Sequence, residues 1–234
     1  MIRHTTKIKD KGIGLSPEQP LTVIIPVAGM GHRMKSYGPK CLLKANKKET
    51  ILEKTVSNIK REYPYSDIIV VVGFEADKVI KSLPSFVRIV ENQNYEKTNI
   101  VESLRIGINA SAHDNVLIIY GDLIFNVYSI REITSSGTCV GFDSKNRFRE
   151  EEVGVTIVEN RVTTFAYGLS NKWSQIAYLE DEAFKMLKSL CADKRKNKLY
   201  LFELFNIIIE NGFTMRAKEP KGMTIREIDS LKDL

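Results

Sequence analysis

"VIIPVAGMGHRMKSYGPKCLL", residues 23–43, joins a run of β-branched residues to a turn that contains two glycines. The strand-forming side chains end at a proline, and Gly29 and Gly31 follow one residue apart. Arg33 and Lys40 then place two cations close behind the glycines. In an open parallel sheet, ligands bind at the carboxyl ends of the strands, where glycine gives phosphate oxygens access to backbone N–H groups. The stretch therefore predicts a phosphate-binding loop after the first strand.

Two other phosphate-binding motifs do not fit this stretch. A dinucleotide-binding fingerprint needs a third glycine where the chain has Met34, and a helix that Gly38-Pro39 would soon interrupt. A Walker A loop needs a G-K-S/T sequence, which is absent. An ordinary strand-to-helix turn would explain the two glycines alone. The whole string, with its arginine, its second proline and its lysine, is more specific.

The composition excludes several classes of protein. The chain has 234 residues, of which 43% are hydrophobic, enough for one large α/β domain. A net charge of +6 favours anionic partners, but the basic clusters at residues 44–48 and 194–198 lack the interleaved aromatics of a nucleic-acid site. Three cysteines without a C-x-x-C pair favour reduced thiols and a cytoplasmic protein. No apolar run approaches the roughly 20 residues of a membrane span, so we expect neither a nucleic-acid nor a membrane partner.

Short β-branched runs alternate with helical stretches, which predicts a Rossmann-like, mostly parallel α/β sheet flanked by helices. Residues 1–20 are predicted to be a polar N-terminal extension, and residues 21–234 a single domain. In the first half, the predicted strands are 21–27, 67–73, 87–91 and 115–120, and the predicted helices are 50–63, 75–82 and 99–112.

The pattern changes after residue 121. Strands are predicted at 137–143, 153–158 and 161–166, with a tight turn at Glu159-Asn160 that indicates an antiparallel hairpin portion. The remaining predicted elements are strands 173–178 and 214–217, helices 180–189 and 199–211, and a strand or turn followed by a short helix within 223–234.

The glycine-containing string resembles the signature loop of the nucleotidylyltransferases that activate phosphorylated metabolites with NTP. That family includes the sugar-1-phosphate nucleotidylyltransferases and the phosphocholine cytidylyltransferases of bacterial surface-polymer pathways. The resemblance implies the nucleotide-diphospho-sugar transferase fold and a loop that wraps the triphosphate. It implies that Arg33 and Lys40 are catalytic and contact phosphates, so we expect Lys40 to face substrate and not a protein carboxylate. Nucleotide contacts are implied for Ala28, Gly29, Met30 and Gly31.

A second stretch, residues 92–104, has the form N-x-x-Y-x-x-T-N-x-x-x-S-L. It is similar to a stretch of the phosphocholine branch that lies near the base and the ribose. An N-cap of the following helix would explain Thr98 or Asn99 equally well. The nucleotide-binding residues that the resemblance implies in this stretch are Asn94, Thr98, Asn99 and Ser103. Gly121, which follows the predicted central strand, is implied as a further one.

Two acidic positions match the metal-binding aspartates of the family. Asp122 follows the predicted central strand, and Glu227-Ile228-Asp229 resembles the family's terminal E-I-D. The resemblance implies that Asp122 and Asp229 bind Mg²⁺, with Glu227 as a further candidate. Mg²⁺ held by one or two carboxylates together with phosphates suits in-line attack on the α-phosphorus. From the residues alone, a turn aspartate at 122 and a helix N-cap at 229 remain alternatives.

The sequence defines the acceptor substrate less well than it defines the nucleotide and metal sites. Phe148 and Trp173 are predicted to contact it, because aromatic faces favour a quaternary ammonium. The short spacing from Arg33 to Lys40 is nearer to the cytidylyltransferases, which predicts CTP and a small phosphorylated or phosphonylated alcohol or amine.

Two other functions stay open. The sequence I-P-V-A-G at residues 25–29 resembles that of the uridylyltransferases and favours a sugar-1-phosphate uridylyl- or thymidylyltransferase. His32 replaces the small residue usual in the loop, which leaves open a nucleotide-binding module without catalysis. A homodimer is also left open.

Overall fold

A computed structural model of the chain describes residues 15–30, 38–145 and 151–221 and, as backbone, residues 226–227. Short 3-10 helices lie at Lys40–Leu42 and Lys194–Lys196. In chain order the other elements are β1 Thr22–Pro26, α1 Ile51–Glu62, β2 Asp67–Val72, α2 Ala76–Ser82, β3 Arg88–Glu91, α3 Ile100–Ala110, β4 Val116–Ile119, β5 Leu123–Ile124, α4 Tyr128–Thr134, β6 Cys139–Asp143, β7 Val153–Val158, β8 Arg161–Tyr167, β9 Asn171–Leu179, α5 Asp181–Ala192, α6 Leu201–Glu210, β10 Arg216–Lys218 and β11 Arg226–Glu227.

Nine of these strands form one sheet in the order β3-β2-β1-β4-β9-β6-β10-β8-β7. Strands β1 to β4 run parallel to one another. Strand β9 lies antiparallel between β4 and β6, and β7 and β8 form the predicted hairpin. The predicted Rossmann-like α/β fold is confirmed. Its antiparallel part is larger than predicted, because β9 joins the parallel half to the hairpin.

Helices cover both faces of the sheet, as the side chains of β1 show. Val23 and Ile25 belong to the core that includes residues of α1, α2 and α4. Ile24 points the opposite way, into the core that includes residues of α3, α5 and α6. A central parallel strand is buried on both faces, so its sequence is a continuous apolar run and not an alternating one.

Helix α1 begins at a capping box, which fixes the chain that leads into it. The hydroxyl of Thr50 accepts a hydrogen bond from the Glu53 N–H at 3.2 Å, and the Glu53 carboxylate accepts one from the Thr50 N–H at 2.7 Å. Such caps stabilise a helix by about 1 kcal/mol. The Ile51 N–H also donates to the Leu43 carbonyl at 2.9 Å, which ties the segment after Lys40 to the helix.

Helix α3 lies unusually close to the sheet because it contains Gly107. A Cβ at this position would lie 2.8 Å from Ile24 Cγ2 and 3.2 Å from Val71 Cγ2. Since α3 connects β3 to the parallel strand β4, it runs antiparallel to both strands. Its N-terminus is therefore held against the carboxyl edge of the sheet, where the phosphate-binding loop is predicted.

The folded part of the chain extends further towards the N-terminus than predicted. Leu15 is buried in the core that includes residues of α1, α2 and α4, and its N–H donates to the Thr134 carbonyl at 3.2 Å. Within the predicted extension 1–20, Leu15 thus packs its apolar side chain against the domain. Residues 1–14 lie outside the described residues.

Strand β5 and helix α4 were not predicted. Helix α4 has only seven residues, too few to show helical periodicity, and it is fixed by the burial of Ile130 and Ile133. The strand predicted within 223–234 is confirmed at β11, which pairs antiparallel with β5. The predicted terminal helix lies outside the described residues. No helix of the described ranges is long and apolar enough to cross a membrane.

Candidate active site

The order of the strands opens a crevice at the carboxyl edge of the sheet. From β1 the chain proceeds to β2 and β3 on one side, and then crosses to β4 on the other side of β1. Ligands of open α/β sheets bind at such a switch point. A cavity of about 280 Å³ lies there. The predicted site residues that line it are Ala28, Gly29, Lys40, Thr98, Asn99, Ser103, Gly121 and Asp122.

Other predicted site residues are not placed in this cavity. Met30 is described but does not line it. Only the backbone of Glu227 is described, and it lies opposite Leu123, the residue after Asp122. The predicted site residues outside the described ranges are Gly31, Arg33, Phe148 and Asp229.

Gly29 and Gly121 lie at the cavity for different reasons. At Gly121 an added Cβ would collide with the Val27 side chain, so glycine is required where β4 passes the end of β1. At Gly29 an added Cβ would meet nothing within 4 Å. Its φ is not in the left-handed region, so the backbone conformation at this position does not require glycine. Its missing side chain instead leaves open space on the cavity wall.

Gly29→Ala tests whether a ligand uses this space. We expect the stability to stay equal or to rise by roughly 0.4–1 kcal/mol, because alanine restricts the unfolded chain and strains nothing here. Nucleotide affinity should fall about tenfold, because the new methyl group fills space that a phosphate would approach. Calorimetric titration with CTP and a thermal melt measure the two effects. Gly121→Ala is the contrasting variant, since its collision with Val27 should lower the melting temperature.

Asn92 organises the wall formed by residues 92–103, although the sequence pointed to Asn94. Asn92 is buried, and its amide donates to Thr98 Oγ1 at 3.2 Å and to Ser103 Oγ at 3.1 Å. Its carbonyl oxygen accepts from the Asn94 N–H at 3.0 Å. Asn94 does not line the cavity. The backbone carbonyl of Asn94 accepts a hydrogen bond from the Thr98 hydroxyl at 2.8 Å. Asn94 therefore helps to position Thr98, which lines the cavity.

The N-terminus of α3 faces the cavity. Asn99 is its N-cap, and the side-chain oxygen accepts from the Ile100 N–H at 2.8 Å. The N-cap alternative is therefore confirmed for Asn99, and the residue also lines the cavity. The free N–H groups and dipole of a helix N-terminus favour an anion. Because Lys40 also lines the cavity, the cavity presents two sources of positive potential.

Lys40 lies beside a carboxylate, contrary to the expectation that it faces substrate only. Its Nζ is 3.6 Å from Asp122 Oδ2, and the two side chains are 16% and 22% exposed. Both residues line the cavity, so the ion pair lies on its wall and not on the outer surface. The loop therefore presents its lysine at the predicted place, with Asp122 as a neighbour that the sequence did not indicate.

The oxygen donors fit a Mg²⁺ ion bound together with phosphate. A hard cation of this size prefers one or two carboxylates, with phosphates and water in the remaining positions. Asp122 supplies a partly exposed carboxylate in the cavity, and the β5–β11 pairing places the backbone of Glu227 opposite Leu123, the residue after Asp122. Across the described ranges, no three His, Cys, Asp or Glu side chains cluster in a way that could hold a metal.

Cys41 follows Lys40 in the cavity wall but is not a nucleophile. Burial, with an added effect of the Asp122 charge, raises the pKa of its thiol to about 12. Burial also raises the pKa of the Cys139 and Cys191 thiols to about 12. Only the thiolate is reactive. We therefore expect Ellman's reagent at about pH 8 to label almost no thiol in the native protein and all three cysteines after unfolding in guanidinium. Rapid labelling of the native protein would contradict this assignment.

Three tyrosines of the cavity, Tyr95, Tyr120 and Tyr200, were not among the predicted site residues. Tyr95 belongs to the N-x-x-Y stretch, whereas Tyr200 comes from the start of α6. Tyr200 is 47% exposed and stacks on Phe202, with ring centroids 5.9 Å apart and an interplanar angle of 18°. No local pattern marks Tyr200. It reaches the cavity because the Asn99 N–H donates to the Asn197 carbonyl at 2.8 Å and so holds this segment beside α3.

Trp173 does not line the cavity, in contrast to its predicted role as an acceptor contact. It is 2% exposed and packs edge-on against Tyr120, Phe165 and Phe205, with centroid distances of 5.6–5.7 Å. The antiparallel strand β9 turns this indole into the core. We therefore assign Trp173 to packing.

Comparisons with known proteins agree with this architecture. Residues 23–199 match the MobA-like NTP transferase domain family. Among curated proteins, the chain is 35% identical over 107 residues to a bifunctional protein GlmU of Solibacter usitatus and 22% identical over 213 residues to that of Lactococcus lactis. These alignments cover 44% and 83% of this chain but only 22% and 46% of the relatives. The chain thus spans less than half the length of either protein.

Solved structures show the same fold at low sequence identity. The CTP:phosphocholine cytidylyltransferase of Streptococcus pneumoniae superposes with a TM-score of 0.73 at 19% identity, covering 91% of this chain and 95% of that one. The inositol-1-phosphate CTP transferase of T. maritima gives 0.72 at 16%, covering 91% of each chain. A UDP-glucose pyrophosphorylase gives 0.70 at 10%, covering 92% and 96%. With the family match over most of its length, the chain belongs to the MobA-like NTP transferase domain family.

Proposed function

We propose that the protein is a Mg²⁺-dependent cytidylyltransferase, which joins CTP to a small phosphorylated or phosphonylated alcohol or amine and releases pyrophosphate. The observation that supports this most is the convergence of four segments on one cavity. The open wall at Gly29, the ammonium of Lys40 and the N-terminus of α3 suit phosphates, and the carboxylate of Asp122 suits a cation. Two structural relatives are CTP-using transferases by name, which supports CTP over the other nucleotides.

The chain's own residues would act by positioning and by balancing charge. An acceptor oxygen attacks the α-phosphorus of CTP in line, the new P–O bond forms, and pyrophosphate departs with its electron pair. Lys40 and the α3 N-terminus would hold the triphosphate against the wall at Gly29, and Arg33 is the proposed second phosphate contact. Asp122 would hold the Mg²⁺ ion, with Asp229 as the proposed second ligand and Glu227 as a less favoured candidate. Bound Mg²⁺ would neutralise charge on the phosphates. Such positioning and neutralisation account for most catalysis in this type of reaction.

A row of aromatic side chains supports an amine as the acceptor. Tyr200 stacks on Phe202, and Phe202 contacts Tyr167 edge-on at a centroid distance of 5.3 Å. The row begins at the cavity and is exposed at both ends. Glu203 lies close by, because its carboxylate accepts from the Tyr200 N–H at 2.7 Å and its charge helps to raise the pKa of Tyr167 after the larger effect of burial. Aromatic faces beside a carboxylate favour an ammonium group.

Replacing Tyr200 tests the acceptor site. We expect Tyr200→Ala to raise KM for a phosphorylated amine about fivefold, with an unchanged KM for CTP, because a ring face contributes roughly 1 kcal/mol to cation binding. Tyr200→Phe keeps the face and should behave like the wild type. Steady-state kinetics with each substrate varied in turn measure both constants. Equal increases in the two KM values would place Tyr200 beside the nucleotide.

Pyrophosphate release tests the function itself. The protein is incubated with Mg²⁺ and each of CTP, UTP, dTTP, ATP and GTP, in combination with phosphorylated amines, inositol-1-phosphate and sugar-1-phosphates. The proposal predicts release with CTP that depends on a phosphorylated amine or alcohol. An Asp122→Asn preparation, purified in the same way, controls for contaminating enzymes. Absence of release with every pair would contradict the proposal and favour a nucleotide-binding module without catalysis.

The second candidate is a sugar-1-phosphate nucleotidylyltransferase. It is favoured by the sequence I-P-V-A-G at residues 25–29 and by the structural similarity to a UDP-glucose pyrophosphorylase. It predicts turnover of UTP or dTTP with glucose-1-phosphate in the same panel. That outcome would leave the cavity as the active site and change only the substrates.

A further inference from the structure

The backbone positions of Lys40 and Asp122, which form the ion pair, are set by local contacts of the chain. Lys40 begins a 3-10 helix, and its carbonyl accepts from the Leu43 N–H at 3.0 Å, which closes the turn. Asp122 follows Gly121, whose position is fixed by its close approach to Val27. The fold therefore brings the two residues to the same edge of the sheet, where their charged groups lie 3.6 Å apart.

Both charges are mostly withdrawn from water, which strengthens their interaction. A pair of opposite unit charges at this distance interacts several-fold more strongly near a protein surface than in bulk water. The ammonium occupies space beside the same carboxylate that the proposed function assigns to a divalent cation. The two cations therefore cannot both bind Asp122 at full strength, since they repel each other.

A triphosphate changes this balance. It offers Lys40 another anion in the same cavity, whose lining also includes the open position at Gly29 and the α3 N-terminus. We propose that Lys40 is an exchangeable counter-ion of Asp122. In the empty cavity it neutralises the carboxylate, and when nucleotide binds it transfers to phosphate and releases the carboxylate for the divalent cation. This inference rests on the proposed function, and it makes metal and nucleotide binding mutually reinforcing.

Mn²⁺ binding without nucleotide tests the proposal, because electron paramagnetic resonance counts the free ion directly. We expect Lys40→Ala to bind Mn²⁺ about tenfold more tightly than the wild type, since the competing charge is gone. Lys40→Arg keeps the charge and should bind Mn²⁺ as the wild type does. Lys44→Ala removes an exposed lysine of the same segment and should change nothing. In the presence of EDTA, Lys40→Ala should bind CTP more weakly, so the two affinities move in opposite directions.

A purely structural lysine would not produce this pattern. Mn²⁺ affinity of Lys40→Ala equal to or below that of the wild type overturns the proposal. Wild-type protein gives a second readout that needs no variant: saturating Mn²⁺ should speed the acetylation of Lys40 by a limiting reagent, as followed by peptide mass spectrometry. An unchanged acetylation rate also overturns it. If Mn²⁺ affinity rises in Lys40→Ala while no substrate pair releases pyrophosphate, the counter-ion exchange stands and the proposed function fails.

Discussion

Asp122→Asn is expected to lower the turnover number for pyrophosphate release by about a thousandfold, the size of effect seen when a central electrostatic contact to a transition state is removed. Asparagine keeps the size and polarity of the side chain but removes one negative charge from the proposed metal site. The loss should persist at raised Mg²⁺ concentration. Steady-state turnover against Mg²⁺ concentration measures it.

The stability of this variant is a separate test of the ion pair. If Asp122 and Asp229 share one metal site, as the family resemblance implies, their carboxylates would repel each other without metal, and neutralising one would raise the stability. The structure places the Lys40 ammonium 3.6 Å from Asp122, so we expect a small loss instead. Asp77→Asn, on the exposed side of α2, is the matched control for both measurements. Near-normal turnover of Asp122→Asn at low Mg²⁺ would exclude this residue as a metal ligand.

Lys40→Ala is expected to lower turnover by roughly 10- to 100-fold, because a charge-assisted contact to phosphate contributes about 1.5–3 kcal/mol. The melting temperature should change little, since the lysine lies at the cavity wall and not in a core. Combined with Asp122→Asn, the loss should be smaller than the product of the two single losses, because residues in contact act as a unit. A fully multiplicative loss would show that the two side chains work independently. Unfolding of the single variant would make Lys40 structural.

The parallel half of the fold could be predicted because each element carries its own signal. The apolar runs of β1, β2 and β4 indicate strands buried on both faces, and the Thr50–Glu53 capping box marks the start of α1. The position of β9 has no such signal. It is fixed by pairing with β4 and β6, strands that lie about 60 and 30 residues earlier in the chain. Long-range pairing of this kind overrides local patterns.

The site residues that could be predicted likewise follow from local sequence signals, whereas the others depend on long-range contacts. Because the glycine loop and Lys40 come after β1 and Asp122 comes after β4, the rule for parallel sheets predicts all of them at one edge, but it does not predict the contact between Lys40 and Asp122. Asn92 and Asn94 are both asparagines of one short loop, and only the three-dimensional turn decides which amide reaches Thr98 and Ser103.

Aromatic residues were the hardest to place from the sequence. Trp173 and Tyr200 have similar chemistry, but one is buried in the sheet core and the other is 47% exposed at the cavity. The difference depends on the direction of β9 and on the contact between α3 and the segment before α6. Neither the direction of β9 nor this contact can be predicted from the residues adjacent in sequence to Trp173 or Tyr200.

The most direct test of the central claim is a crystal structure with CTP and Mg²⁺. We expect the triphosphate to lie between Gly29, Lys40 and the N-terminus of α3, with the metal bound to Asp122 and the Lys40 ammonium moved from the carboxylate to a phosphate oxygen. Nucleotide bound away from the crevice between β1 and β4, or a triphosphate that leaves Asp122 and Lys40 untouched, would contradict the assignment of this cavity as the site of nucleotidyl transfer.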